Sequence, residues 1–227
     1  MKTIFLIAIL LTAIQAESQN RFKLTDASKT VDVQIDVGTC PEPNFDLCGP
    51  VTVDLYRKQS KTPFQKLKLA RTQMWDREPK ANVTRRYDEQ SVINFGDFNF
   101  DGVEDLAICD GNNGGYGMPS YRVYLYSKAA RRFVFSRSFT RMNDGGLGMF
   151  EVNKKKKMLY VYSKSGCCWH QSQGFDVVMG RPRKVYEFTE DAQYGDGSKV
   201  TVTTRKLIRG RWRTWVKRVE FSDYYQS

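Results

Sequence analysis

Histidine is almost missing from this chain: His170 stands alone among 227 residues. One imidazole falls short of the His/Cys sets that close a zinc site, so zinc is a weak reading. No Gly-x-Ser-x-Gly elbow and no His-Glu-x-x-His run occurs, which removes two common hydrolase signatures. The paired carboxylates of a glycosidase cannot be assigned either. The rival catalytic constellation is His170 with Asp176 or a cysteine thiolate, and it is thin, so an enzyme is not expected. Past residue 16 no apolar run is long enough to cross a bilayer, so stable membrane insertion is not expected. No stretch sustains a helical period, and no linker, low-complexity segment or repeat divides the chain.

What is present starts with an export signal. Lys2 precedes an apolar run over residues 4–14, and Ala16 suits cleavage before Glu17. Residues 1–16 read as a secretory signal peptide and residues 17–227 as a single domain, released into the periplasm. No cysteine lies near the cleavage site, so no lipid anchor is expected there. The formal charge of +11 falls to +10 on loss of Lys2. A basic exported protein can meet anionic polymers or acidic proteins. Export argues against nucleic acid, and the run Lys154-Lys155-Lys156-Lys157 reads as an exposed hairpin turn. Five cysteines remain after cleavage, in a compartment that permits disulfides. Cys40 and Cys48 flank a proline-rich loop and form the expected pair. Cys167 and Cys168 are adjacent; they bond to each other, or one reaches Cys109.

The periodic stretches are rich in aromatic and β-branched residues, which favour strands. Residues 31–37 alternate cleanly, and the pattern returns at 51–56, 121–126, 158–162, 184–188 and 199–208. Residues 64–75, 91–95, 106–109, 133–135, 147–152 and 174–179 continue the series. Arg209-Gly210 marks a turn before 211–221. The fold class is all-β, with antiparallel sheets in a sandwich or propeller-like arrangement.

The sharpest local feature is Asp97-Phe98-Asn99-Phe100-Asp101-Gly102-Val103-Glu104-Asp105. Oxygen-bearing side chains fall at loop positions 1, 3, 5 and 9, with glycine at 6, in the order a calcium loop uses. Asp97, Asn99, Asp101 and Asp105 would give side-chain oxygens to Ca2+, and Val103 its carbonyl. Ile108 stands where an EF-hand has its bidentate glutamate, so this is a calcium loop outside that architecture. A glycine-rich stretch follows, Asp110-Gly111-Asn112-Asn113-Gly114-Gly115-Tyr116-Gly117.

Three stretches together carry a family resemblance. They are Asn99-Phe100-Asp101-Gly102 with Glu104-Asp105-Leu106-Ala107-Ile108; Gly115-Tyr116-Gly117 with Pro119-Ser120-Tyr121 and Tyr124-Leu125-Tyr126; and Gly166-Cys167-Cys168-Trp169-His170. Across residues 91–180 the chain resembles the periplasmic immunity proteins that block peptidoglycan-hydrolase effectors of bacterial type IV secretion. The aspartate loop alone also resembles FG-GAP and VCBS repeats. The family implies a calcium-binding β protein that caps the cleft of a lysozyme-like hydrolase. Tyr116, Ser120 and Tyr121 are then the partner-binding candidates, although Tyr121 also fits a core position in its strand. Calcium would be structural, fixing the base of the glycine-rich loop.

Members of that family are often lipoproteins, and this chain departs from them in lacking the lipobox cysteine. A +10 inhibitor would repel a basic lysozyme, so the target is acidic or the charge lies away from the contact face. The alternative function is a periplasmic glycan- or polyanion-binding protein in contact with cell-wall polymer. Its best local candidate is Arg209-Gly210-Arg211-Trp212-Arg213-Thr214-Trp215. There strand alternation predicts tryptophans toward the core and arginines toward water.

Overall fold

A computed structural model describes residues 20–41, 47–75, 79–193 and 197–225. The signal peptide over residues 1–16 lies outside the described residues. Each run of strands folds back on its neighbour, because short turns join antiparallel partners without a crossover. Three such meanders follow one another along the chain. The first sheet holds β1 (Asn20–Leu24), β2 (Val31–Thr39), β3 (Gly49–Arg57) and β4 (Pro63–Leu69). The second holds β5 (Ile93–Gly96), β6 (Asp105–Gly111), β7 (Ser120–Ser127) and β8 (Arg132–Phe135). The third holds six strands: β9 (Glu151–Asn153), β10 (Met158–Ser165), β11 (Trp169–Val178), β12 (Arg181–Asp191), β13 (Lys199–Ile208) and β14 (Arg211–Glu220). The protein is all-β and sandwich-like, with open antiparallel sheets rather than a closed barrel. Among the described residues two short α-helices, α1 (Arg137–Met142) and α2 (Phe221–Tyr225), and one 3-10 turn, Gly115–Gly117, interrupt it. Among the described residues, no helix is long and apolar enough to cross a membrane.

Turn chemistry sets the register. Met179-Gly180 and Arg209-Gly210 both have positive φ at both residues. That is the backbone a two-residue hairpin needs to match the strand twist. The lysine run forms the β9–β10 turn as its composition predicts, with Lys156 N–H donating to Asn153 Oδ1 at 2.9 Å. Leu147–Phe150, read as strand, is instead a buried loop. Its glycines and a side-chain clamp described below replace sheet pairing.

A continuous apolar core joins the sheets. Val31, Val33, Ile35 and Val37 of β2 pack with Val51, Val53 and Leu55 of β3, and on to Leu106, Ile108 and Val123 of the second sheet. The third sheet contributes Leu159, Val161 and Phe175, from β10 and β11. Among the described residues β12–β14 add none to this core and run out beyond it, with Val200 of β13 buried apart from it. Trp215 is half exposed there. The expectation that alternation would turn it to the core fails, because Trp215 lies two residues from Arg213 and the register puts both on the face opposite Leu159 and Val161.

Two buried glutamines hold segments together in place of strand pairing, Gln65 between two sheets and Gln90 between two loops. Gln65 of β4 donates from Nε2 to the Phe133 carbonyl and accepts from the Phe133 N–H through Oε1, each at 2.8 Å. Gln90 does the same for the 147–149 loop, accepting from Met149 N–H at 2.7 Å and donating to the Leu147 carbonyl at 3.0 Å. A primary amide carries a donor and an acceptor side by side, so it copies one rung of a β-ladder.

Candidate functional site

The second sheet carries a loop at each end of β6, and both were singled out by sequence. The loop entering β6 is the aspartate loop. Asp97 Oδ1 and Oδ2 accept from the N–H groups of Asp101 and Gly102, both at 2.9 Å. Asn99 Oδ1 also accepts from Asp101 N–H, and Asp101 Oδ1 from Val103 N–H. These bonds curl the chain around its acidic side chains, and Gly102 takes the positive φ the turn requires (+85°).

Asp105 begins β6 and is fully buried. One of its oxygens accepts from Phe98 and Asn99 N–H, the other from Tyr126 N–H. Burial pushes the Asp105 carboxyl up to about 7, against the pull of those three N–H groups. A neighbouring cation would favour its charged form. The donors are all oxygens and match a hard cation in kind and order. Their oxygens close on loop N–H groups, and among the described residues no three acidic, histidine or cysteine side chains gather as a ligand cluster.

The loop leaving β6 is the glycine-rich one, joining Gly111 to Ser120. Its glycines answer to close backbone packing. A Cβ on Gly114 would meet the carbonyl oxygens of Met118 and Gly146 at 2.6 and 2.8 Å. One on Gly115 would meet the Gly145 oxygen at 2.8 Å. Gly115 N–H donates to the Gly146 carbonyl at 2.8 Å. The loop thus lies backbone to backbone on residues 143–148, whose own second cluster of glycines makes the approach possible.

At its tip Tyr116 adopts the left-handed backbone (φ +57°) and is 61% exposed. Its hydroxyl accepts a hydrogen bond from the Gly166 N–H, at the turn that carries Cys167 and Cys168. Lys164 of β10 places its ammonium 4.7 Å from the Tyr116 ring and 4.8 Å from the ring of Tyr87, which is also exposed. Beside them Arg86 lies 3.4 Å over the Tyr162 ring, and the Tyr162 hydroxyl donates to Glu151 at 3.0 Å. Residues of four separate segments therefore meet in one exposed aromatic and cationic surface.

The chain shares its fold with a protein of known structure. The similar structure is that of a Xanthomonas type IV secretion system related protein, at a TM-score of 0.70 and 23% identity. The likeness covers 87% of this chain and 94% of that one. No family model and no curated protein matches the sequence.

The remaining sequence candidates sort cleanly. Ser120 is half-buried at the base of the loop, donating to Asp110 Oδ1 at 2.6 Å and accepting from Asn113. It shapes the loop from below. Tyr121 is a correction: it is buried at 3% exposure, with its hydroxyl donating to the Ser91 carbonyl at 2.8 Å. The inward face of β7 claims it, so it cannot touch a partner. The link between the two loops is a second correction. They sit at opposite ends of β6, whose seven residues span about 20 Å. A cation in the aspartate loop therefore cannot fix the base of the glycine-rich loop directly.

The disulfides are Cys40–Cys48 and Cys167–Cys168, so the second pair closes on itself. Cys109 is a buried free thiol, and burial pushes its pKa up. His170 faces Lys164 and Glu190 across β11, whereas Asp176 is held by Arg183 at 3.0 Å, six strand residues further on. The two do not meet. Sequence reading missed Tyr87, Lys164 and residues 143–148. A second glycine cluster, Gly145-Gly146 with Gly148, was the available signal.

Proposed function

We propose that this protein is an exported inhibitor that blocks a lysozyme-like peptidoglycan hydrolase by protein–protein contact through the Tyr116 surface. The observation that carries the reading is Tyr116 itself. It is an exposed tyrosine held at the tip of a tightly packed glycine loop, with its hydroxyl and its ring both engaged. A rigid aromatic tip loses little entropy on binding, and tyrosine is enriched at interface anchors. A glycosidase cleft presents catalytic carboxylates, and the tyrosine hydroxyl together with Lys164 suits such a floor. Tyr87 and the Gly166–Cys168 turn would form the rim. The fold shared with a type IV secretion related protein supports the same reading, as does the sequence resemblance to immunity proteins of that system.

Calcium belongs to this proposal as a structural ion. Asp97, Asn99, Asp101 and the Val103 carbonyl would hold it, with Asp105 beneath. It would stabilise the β5–β6 end of the central sheet and act on the Tyr116 end only through the sheet as a whole.

The test is lysis of purified peptidoglycan by lysozyme-like hydrolases, followed by turbidity, with the mature protein added in increasing ratio. Stoichiometric inhibition by the wild type and its loss in Tyr116→Ala, with the circular dichroism spectrum unchanged, is the expected result. Equal inhibition by Tyr116→Ala removes that loop from the interface. No inhibition of any hydrolase sinks the reading.

A further inference from the structure

We propose that the outer face of β12–β14 is a second binding surface, which takes a linear β-1,4-linked glycan carrying carboxylates. Register assigns the side chains to faces, since paired residues in an antiparallel sheet project to the same side. Val161 and Leu159 of β10 mark the core face. Neighbouring Tyr160 pairs Gly174, Gly174 pairs Tyr186, Tyr186 pairs Lys206, and Lys206 pairs Arg213. One residue pair further, Ser172 pairs Phe188, Phe188 pairs Thr204, and Thr204 pairs Trp215. Tyr186, Phe188 and Trp215 therefore share the outer face with Lys206, Arg213 and Lys217.

The chemistry of that face is uneven in a way that specifies a ligand. Phe188 and Trp215 stand in one row on alternate strands, about 9.5 Å apart at the ordinary strand spacing. That spacing is close to the disaccharide repeat of an extended β-1,4 chain, so successive sugars of one orientation meet successive rings. Thr204 between them is small and projects little beside the two rings, of which Trp215 is half exposed and Phe188 half-buried. Gly174 does the same one row away, where a Cβ would crowd Tyr186 and Tyr160 at 3.0 and 3.2 Å. Lys206, Arg213 and Lys217 flank the row, and none has a carboxylate partner among the described residues. The carboxylate on this face of the three strands is Glu190, and it accepts from the Tyr224 hydroxyl. Cations without counter-charges beside partly exposed rings suit sugars bearing carboxylates, because the rings take the C–H faces and the cations take the charge.

Self-association is the other fate of such a sheet, because β14 is an edge strand. Arg211, Arg213, Lys217 and Arg218 along that edge would face their own copies, which disfavours pairing with a second chain. Register carries the same face on to Tyr162 through Ser172 and to Lys164 through His170, so this surface adjoins the Tyr116 surface, and the two readings are told apart by Trp215→Ala and Tyr116→Ala, each of which removes a ring from one of them alone.

Sedimentation of the full mature protein with purified insoluble peptidoglycan sacculi tests it. The wild type is expected to pellet with sacculi and to be released by salt. Trp215→Ala is expected to reduce retention roughly tenfold. A Lys206→Gln, Arg213→Gln, Lys217→Gln triple variant is expected to reduce it similarly, and Tyr116→Ala to pellet like the wild type. Chitin has the same linkage without carboxylates and should retain the protein weakly. Four results overturn the proposal. They are no pelleting of the wild type, equal pelleting of Trp215→Ala and the triple variant with the wild type, equal retention on chitin, and binding to phosphatidylglycerol vesicles in preference to sacculi.

Discussion

Strand β2 alternates strictly, whereas β14 carries its apolar residues at Trp212, Trp215, Val216 and Val219 and so places them on both faces, and the two strands end in different surroundings. Along β2, Val31, Val33, Ile35 and Val37 are all buried, and the residues between them are half-exposed. Along β14, Trp212 and Val219 are half-buried, while Trp215 and Val216 are 50% and 61% exposed. A period of two says that a strand has two different faces. It does not say that either face is covered. The first sheet is covered by the second, whereas the outer part of the third sheet is covered at one end by α2, where Val200 is buried and Tyr224 bonds Glu190, and Trp215 and Val216 are left exposed. Apolar side chains are then core in one case and available surface in the other.

The contrast can be tested by substitution. Ile35→Ala should cost about 2–5 kcal/mol in denaturant unfolding, since it empties a site of zero exposure between two packed sheets. A cost below about 1 kcal/mol would mean that the first sheet is not packed as described. The central sheet lies between the two extremes and adds a ligand term. If the aspartate loop holds calcium, the ion at hundredfold excess over its Kd should stabilise the wild type by about 2.7 kcal/mol. Asp101→Ala should show no such shift in Tm, and a shift equal to that of the wild type would end the metal assignment.

Gln65→Leu probes the link between the first and second sheets. It should cost about 1–3 kcal/mol, because the Phe133 N–H and carbonyl lose their partners inside the protein. An unchanged midpoint would show that water reaches both groups. The smallest effect belongs to Trp215→Ala, expected within about 0.5 kcal/mol of wild type despite removing the largest side chain in the set. A loss comparable to that of Ile35→Ala would mean that the outer face is covered after all, and the comparison would collapse.

Much of the molecule was legible along the chain. Residues 199–208 were read as a strand to the residue, and Arg209-Gly210 as its turn. The Cys40–Cys48 pair followed from local spacing. Tyr116, a partner-binding candidate set among glycines, is exposed. Less legible were features that depend on which segments meet. Lys164 sits near the end of β10 in a polar stretch, and nothing near it in sequence announces Tyr87 or Tyr116. Tyr121 and Tyr116 are five residues apart in one motif, and only the inward turn of β7 separates a core residue from a surface one. The two loops flanking β6 were close in sequence and read as one unit. The strand between them holds them apart, because extended backbone converts seven residues into about 20 Å.

The sequence by itself determined the strands, their turns, the disulfide across the proline-rich loop and the aspartate loop, since each depends on a few neighbouring residues. The tertiary structure alone decided which strand faces were buried, which aromatics remained at the surface, and that residues of four distant segments, Tyr116 among them, share one surface. Burial and convergence are properties of pairs of elements. They are set by packing between sheets, and no local period encodes the partner.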